Sequence, residues 1–287
     1  VSPTATVLHP GQMGVVVAAA LRAGGSRVSW SPEGRGPATR DRAERAGLVA
    51  VDDPAALAAV DVVFSVCPPA AAEAVAGQVA ALGFAGLFVD ANAVSPARLG
   101  RITELVSATG ARVVDGSLFG PRWAGDRTRL YLAGHPADRD LVAGLFAGTD
   151  VVPVAMDGGA GSASALKMSH TTFQKSARAL AALAHAMAAG AGVSEHLRSE
   201  AEGMESPLGQ PGTLPVVAAK AWRWAPEMRE AADSLAAHGL PPGLATAAGE
   251  VLALWEADRD ATGLSVDDVL ARLRSTGPRQ PTGSAPP

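Results

Sequence analysis

Between Asp157 and Gly192 the chain reads DGGAGSASALKMSHTTFQKSARALAALAHAMAAGAG, and from Ser162 to Ala189 it holds neither proline nor glycine. Alanine and leucine, the strongest helix formers, fill much of the stretch, which predicts one long helix. On a wheel of about 100° per residue, Leu166, Phe173, Ala177, Leu180, Leu183, Ala184 and Met187 share one arc, and Lys167, His170, Thr171, Gln174, Arg178 and His185 lie opposite. The expectation is a rod with a dry face and a chemical face. A plainly solvated polar stripe is the alternative that periodicity leaves open.

What precedes the rod supplies a partner for that chemistry. Thr4 to Leu8 (TATVL) reads as a strand, His9-Pro10-Gly11-Gln12-Met13-Gly14 as a turn, and Val15 to Ala23 as a helix. In a strand–glycine turn–helix unit, Gly11 lets the backbone approach a diphosphate, Gly14 lets the helix pack on the strand, and the helix start holds the anion. His9 replaces the usual first glycine of the fingerprint. After the second strand, Val28 to Trp30, a chain that binds NAD would carry a carboxylate for the ribose 2′-hydroxyl. Here stand Ser31-Pro32-Glu33-Gly34-Arg35 and then Thr39-Arg40. Arg35, Arg40, Ser31 and Thr39 suit a 2′-phosphate through charge-assisted hydrogen bonds, so NADP (NADPH) is expected in preference to NAD.

Strand and helix continue to alternate. Val49-Ala50-Val51, Asp61 to Val66, Leu87-Phe88-Val89 and Arg112-Val113-Val114 read as strands, with helices starting at Pro54, Pro69 and Pro96; Leu130 to Leu132 and Val151 to Val154 add final strands. Continuous apolar runs of this kind predict a parallel, doubly wound sheet of Rossmann type, an α/β fold. Ligands on such sheets lie beyond the carboxyl ends of the strands, which selects Val66-Cys67-Pro68, Asp90-Ala91-Asn92 and Asp115-Gly116-Ser117 as rim residues. Cys67 reads as a small strand-end residue against the cofactor, because no base is paired with it in the sequence.

Four pieces now stand in order: Gly11-Gln12-Met13-Gly14, Asp90-Ala91-Asn92-Ala93-Val94-Ser95-Pro96, Asp115-Gly116-Ser117-Leu118-Phe119-Gly120 and Ala165-Leu166-Lys167-Met168. In this order and spacing they resemble the β-hydroxyacid dehydrogenase superfamily, which includes 6-phosphogluconate and 3-hydroxyisobutyrate dehydrogenases. Ala221-Trp222-Arg223-Trp224-Ala225-Pro226-Glu227-Met228, with Gly239-Leu240-Pro241, resembles the small C-terminal domain of a poorly characterised 6-phosphogluconate-dehydrogenase-like branch. The resemblance implies that Lys167 is the catalytic acid/base, that the Asp90 to Pro96 segment lies near a nicotinamide, and that the chain pairs as a homodimer through the long helix and the C-terminal domain. Departures from the pattern point to an unusual substrate. Phe119-Gly120-Pro121 replaces the Ser-Gly-Gly that grips a carboxylate, Thr171 replaces the usual asparagine, and Pro226-Glu227 aligns with a Lys-Asp pair of the relatives.

The expected chemistry is hydride transfer between NADP and a small hydroxy or oxo compound, with Lys167 as proton donor or acceptor and His170 and Thr171 beside it on the helix. Asn92, Ser117, Phe119, Gly120 and Gln174 are the candidate substrate contacts. Gly11, Gln12, Met13, Gly14, Ser31, Arg35, Thr39, Arg40, Val66, Cys67, Pro68 and Asn92 are the candidate cofactor contacts. Two alternatives stay open: reduction of a C=N bond, as in imine reductases of the same architecture, and a non-catalytic NADP-binding protein. The single cysteine allows neither an internal disulfide nor a thiolate metal site, and no metal is expected. A net charge of −4 with scattered Lys and Arg argues for a small-molecule partner rather than nucleic acid. No uncharged run of about 18 apolar residues suggests a membrane span. The opening VSPTATVLHPG lacks the pattern of a signal peptide, so the expected location is cytoplasmic.

The expected organisation is therefore an NADP-binding domain over 1–156, an interdomain helix over 157–192, a small all-α domain for substrate and dimerisation over 193–275, and a disordered tail over 276–287. Trp222, Trp224, Met228 and Trp255 are the large side chains expected to build the core or subunit packing of the helical part.

Overall fold

A computed structural model of the chain describes residues 3–121 and 125–275; the tail expected over 276–287 lies outside the described residues. The chain divides into two compact units, Val1–Ser169 and His170–Pro287. The division falls within the long helix.

The first unit alternates as the apolar runs predict. Its elements are β1 (Thr4–Val7), α1 (Gln12–Ala23), β2 (Arg27–Trp30), α2 (Pro37–Arg45), β3 (Val49–Ala50), α3 (Pro54–Ala58), β4 (Val62–Ser65), α4 (Ala72–Ala81), β5 (Leu87–Asp90), α5 (Pro96–Ser107), β6 (Arg112–Phe119), β7 (Thr128–Ala133), α6 (Pro136–Gly144) and β8 (Val151–Ala155). The strands form one sheet in the order β3-β2-β1-β4-β5-β6-β7-β8. Strand pleating divides the core into two layers. Val62 and Phe64 of β4 and Leu87 and Val89 of β5 join the layer that holds Leu21 and Phe146. Val63 and Phe88, between them in sequence, join the layer built on Leu99, Ile102 and Val106 of α5. Phe64 meets Phe146 edge to face at 5.8 Å. This is a Rossmann-type doubly wound sheet.

One expectation about it is corrected. The sheet is not parallel throughout: β6 and β7 are antiparallel, while β7 and β8 are again parallel. Fewer than a dozen residues link β6 to β7, too few for the crossover that a parallel pair needs. Because β7 pairs along its second half, β6 continues to Phe119, with Asp115 opposite Ala133 and Ser117 opposite Tyr131. Asp115, Gly116 and Ser117 therefore lie inside a strand and not beyond its carboxyl end.

The long helix, α7, runs Ser162–Ala191, and α8 (Ser194–Ala201), α9 (Leu214–Ala237), α10 (Gly243–Ala253) and α11 (Val266–Ser275) follow it. In the second unit Met228, Leu252 and Trp255 are fully buried, and the Trp255 indole donates to the Val269 carbonyl at 3.0 Å. Helices α9 and α10 approach closely, since a Cβ on Gly249 would stand 3.2 Å from the Met228 Cβ. Trp222 and Trp224 are only half-buried.

The faces of α7 are the reverse of the expected ones. Its buried side in this unit carries Thr171, Lys175, Ser176, Ala179, Ala181, Ala182, His185, Ala186 and Ala188, whereas Phe173 is 70% exposed, Met187 74%, and Leu180 and Leu183 are also exposed. Small side chains let a helix approach its neighbours, and the larger apolar ones are left outside. Among the described residues no helix is long and apolar enough to cross a membrane.

Candidate functional site

The site of the first unit begins at the glycine turn. Gly11 caps α1, no side chain bonds the cap, and no acid stands in the first turn. No side-chain cap thus competes with an anion drawn to the positive end of the helix dipole. Gly14 is demanded by packing, because a Cβ there would lie 2.0 Å from the His9 carbonyl oxygen. A Cβ at Gly11 would meet nothing within 4 Å, so that position faces an open cradle. Gln12 is exposed, and Met13 packs against the core beneath the turn. These features fit the diphosphate of a dinucleotide.

At the tip of β2 the expected phosphate ligands have separate tasks. Arg40 donates from Nε to the Arg35 carbonyl (3.0 Å) and from Nη2 to the Pro32 carbonyl (2.7 Å), which ties the loop shut. Thr39 Oγ1 accepts from Arg42 Nη2 at 2.9 Å, and Ser31 Oγ accepts the Glu33 N–H at 3.3 Å. Arg35 differs: its Nε is buried without a hydrogen-bond partner. Its charge acts on both His9 and Cys67 at the neighbouring strand ends. Arg42 joins this cluster although nothing in the sequence singled it out.

The ends of β4 and β5 are joined by one side chain. Asn92 donates from Nδ2 to Ser65 Oγ (2.9 Å) and Asp90 Oδ2 (2.8 Å), and its Oδ1 accepts the Cys67 N–H at 2.6 Å. Both ends of the amide are therefore committed within the protein, and Asn92 shapes the rim at Val66-Cys67-Pro68. Complete burial raises the Asp90 carboxyl to about 7, against hydrogen bonds from Asn92 that lower it. Burial also pushes the Cys67 thiol up to about 12. A thiol so hard to ionise is no nucleophile, in keeping with its reading as a strand-end residue.

Asp115 sets the start of α7. Its carboxylate accepts the N–H groups of Gly161 (2.9 Å), Ala163 (2.9 Å) and Ser164 (3.1 Å) at Oδ2 and the Ser164 hydroxyl (2.7 Å) at Oδ1. A residue far away in sequence thus caps the helix and opposes its dipole. Ser117, fully buried, adds a second tie by donating to the Ala163 carbonyl at 2.7 Å.

This anchoring presents Lys167 about one turn further along. Its Nζ donates to the Leu118 carbonyl at 2.7 Å and lies 4.3 Å from the centre of the Phe119 ring. Phe119 is itself held edge to face against Tyr131, and Gly120 gives its carbonyl to Arg129 at 2.9 Å. Burial lowers the lysine to about 8, where it exchanges a proton near neutral pH.

The other candidates fall in the second unit. His170 is exposed, Thr171 is buried, and Gln174 accepts from Arg178 Nη1 through its side chain and its backbone carbonyl. Sequence reasoning missed a charge pair here: Lys175 of α7 bonds Glu227 of α9, and both side chains are nearly buried. Lys175 Nζ also lies 5.5 Å, and the Arg178 guanidinium 6.0 Å, from the Trp224 ring centre. The alignment of Pro226-Glu227 with a Lys-Asp pair was the one available signal. Among the described residues no group of three or more His, Cys, Asp or Glu is placed to hold a metal.

Solved structures share this fold. A conserved hypothetical protein from Sinorhizobium meliloti is 26% identical, over 96% of this chain and 97% of that one, with a TM-score of 0.64. The 3-hydroxyisobutyrate dehydrogenase of Mycobacterium tuberculosis, solved with L-serine, is 21% identical over 97% and 100% of the two chains, with a TM-score of 0.67. Psf3 in complex with NADP+ and 2-OPP is 18% identical over 95% and 99%, with a TM-score of 0.63. The resemblance carried by the four motifs holds at the level of fold: the chain has the architecture of the β-hydroxyacid dehydrogenase superfamily. More narrowly, residues 188–255 match the model of a domain of unknown function (DUF1932). No curated protein matches the sequence.

Proposed function

We propose that the chain is an NADP-dependent oxidoreductase that interconverts a small hydroxy compound and its oxo form, with Lys167 as general acid and base. The observation that carries this reading is the enclosed Lys167 ammonium, fixed on the Leu118 carbonyl and lowered by burial to about 8. When bound, the nicotinamide would supply or accept the hydride. The glycine turn from Gly11 to Gly14, with Val66, Cys67 and Pro68 at the next strand end, would hold the dinucleotide. Arg40 and Arg42 lie beside Ser31 and Thr39, and the nearby Glu33 is exposed, which favours a 2′-phosphate over a bare ribose. Psf3, of the same fold, is solved with NADP+.

In the reducing direction Lys167 gives its proton to the developing alkoxide, and in the oxidising direction the neutral amine takes it from the hydroxyl. Asp115 and Ser117 hold the start of α7, and the Phe119 ring shields the ammonium from water. His170, Thr171 and Gln174 follow on the same helix as candidate substrate contacts. The exposed Phe173, Leu180, Leu183 and Met187 favour a homodimer formed through α7. A cytoplasmic location accords with these small-molecule roles. Incubating the full chain with NADPH and a panel of hydroxy acids, oxo acids and cyclic imines, and following NADPH absorbance, tests the reading. Turnover of an oxo compound that disappears in Lys167→Met supports it; turnover of imines alone, or binding of NADPH without turnover, overturns it.

A further inference from the structure

His9 stands where the fingerprint would have glycine, and its side chain is not solvated like a loop residue. Its Nδ1 is buried and has no hydrogen-bond partner, and the same is true of Arg35 Nε. Buried polar atoms without partners cost stability, so two of them at adjacent strand ends call for a ligand. The two side chains come from the turn after β1 and the loop after β2, and they are close enough for the Arg35 charge to act on the imidazole. His9 immediately precedes the start of α1, where no side chain bonds the cap and the side of Gly11 is open. Both side chains thus border the space beyond the carboxyl ends of β1, β2 and β4.

We propose that His9 and Arg35 form a two-sided clamp on the bridging diphosphate of the dinucleotide, His9 from the glycine turn and Arg35 from across the crevice. The proposal rests on the NADP reading given above and assigns Arg35 to the diphosphate rather than to the 2′-phosphate. The chemistry is complementary. With its proton on Nδ1, the neutral ring donates from that otherwise unpartnered atom to a phosphate oxygen, as Arg35 Nε does from the other side.

The clamp also links binding to a proton. Burial first, and then the Arg35 charge, lower His9 to about 4, so the ring is neutral near pH 7. The other groups at these strand ends are Arg42, whose Nε donates to the Pro10 carbonyl at 3.5 Å, and Cys67, whose thiol is raised to about 12 and carries no charge, with Asp90 acting on it from β5. A diphosphate placed against the imidazole favours its charged form, so the complex holds more protons than the free protein. Affinity therefore rises as pH falls from neutrality towards about 4.

The test is calorimetric titration of the full chain with three probes. NADPH carries both phosphate groups, ADP-ribose carries the diphosphate without a 2′-phosphate, and 2′,5′-ADP carries a 2′-phosphate without the bridging diphosphate. ADP-ribose has no phosphate that titrates near neutral pH, so its pH dependence belongs to the protein. His9→Gln and Arg35→Gln are each expected to weaken ADP-ribose and NADPH about tenfold, the size of one charge-assisted hydrogen bond, and to change 2′,5′-ADP little. Wild-type affinity for ADP-ribose should rise as pH is lowered from about 7 to about 5, towards the lowered His9 value, and that rise should vanish in His9→Gln. His9→Gly, which restores the fingerprint glycine, serves as a second variant should the glutamine disturb folding, and thermal melting checks both. Failure of the wild type to bind any probe would overturn the NADP reading and the clamp with it. Binding by the wild type with unchanged affinity in the variants, or a loss confined to 2′,5′-ADP, would overturn the clamp alone.

Discussion

The two units differ in how they hold the polar side chains at their centres. In the first, side chains bond to backbone: Asp115 takes three N–H groups of the α7 start, Asn92 takes the Cys67 N–H, and Lys167 gives to the Leu118 carbonyl. In the second, the nearly buried Lys175 pairs with Glu227 and the buried Asp258 with the part-exposed Arg272, while large apolar side chains of α7 face outward. A side chain that bonds to backbone fixes where an element begins, and no substitution of a second side chain can replace its partner. A pair of side chains can be exchanged together. The first arrangement suits a scaffold that aims a reacting group, and the second suits a packing unit whose exposed apolar face awaits cover.

Asp115→Ala should break this contrast most severely. It leaves several buried N–H groups and the Ser164 hydroxyl without their acceptor, at a cost of roughly 3 kcal/mol or more in denaturant unfolding. Asp115→Asn, which keeps one acceptor oxygen, should cost less, and no second substitution should restore the rest. In the second unit, Glu227→Gln should cost up to about 3 kcal/mol by removing the carboxylate charge that Lys175 bonds in a nearly buried site. Lys175→Met with Glu227→Leu should recover most of that loss in the same assay. Equal rescue in both units would remove the distinction.

A smaller effect depends on pH. Burial raises Asp90 from 3.8 to about 7, so the folded state keeps a proton that the unfolded state has already released. The stability linked to this group is complete below about pH 4 and is lost as pH rises towards 7. Asp90→Asn should remove that part of the dependence, seen as a gap to the wild type that narrows or reverses between pH 4 and 7 in urea titrations. Smallest in stability, and largest in assembly, should be Phe173→Asp with Met187→Lys. Both residues are mostly exposed, so folding should change by less than about 0.5 kcal/mol. Light scattering should nevertheless show the proposed α7 homodimer becoming a monomer.

Much of this was readable in the chain because glycine, proline and apolar runs are local signals. The β1 turn, the strands up to Val114 and the extent of α7 follow from them. What was not readable depends on partners distant in sequence. Nothing between Asp115 and Phe119 announces that β6 continues, since its reason is β7. The capping role of Asp115 needs Gly161 to Ser164 beside it, and Lys175 becomes notable only with Glu227 in place. The faces of α7 were inverted because a wheel weighs the large apolar residues, whereas close packing selected the alanines. His9 was visible only as a missing glycine; its buried, unpartnered nitrogen is a property of the folded turn.

The central claim is that the Lys167 ammonium delivers the proton. Once an oxo substrate is found, the pH dependence of kcat/KM for its reduction by NADPH tests this most directly, because a lysine lowered to about 8 loses its proton within an accessible range. The rate should fall as pH rises through about 8, the reverse oxidation should rise through the same region, and Lys167→Met should be slower by about 10²- to 10⁴-fold without that inflection. A Lys167→Met enzyme with the wild-type rate and the wild-type pH profile would contradict the account.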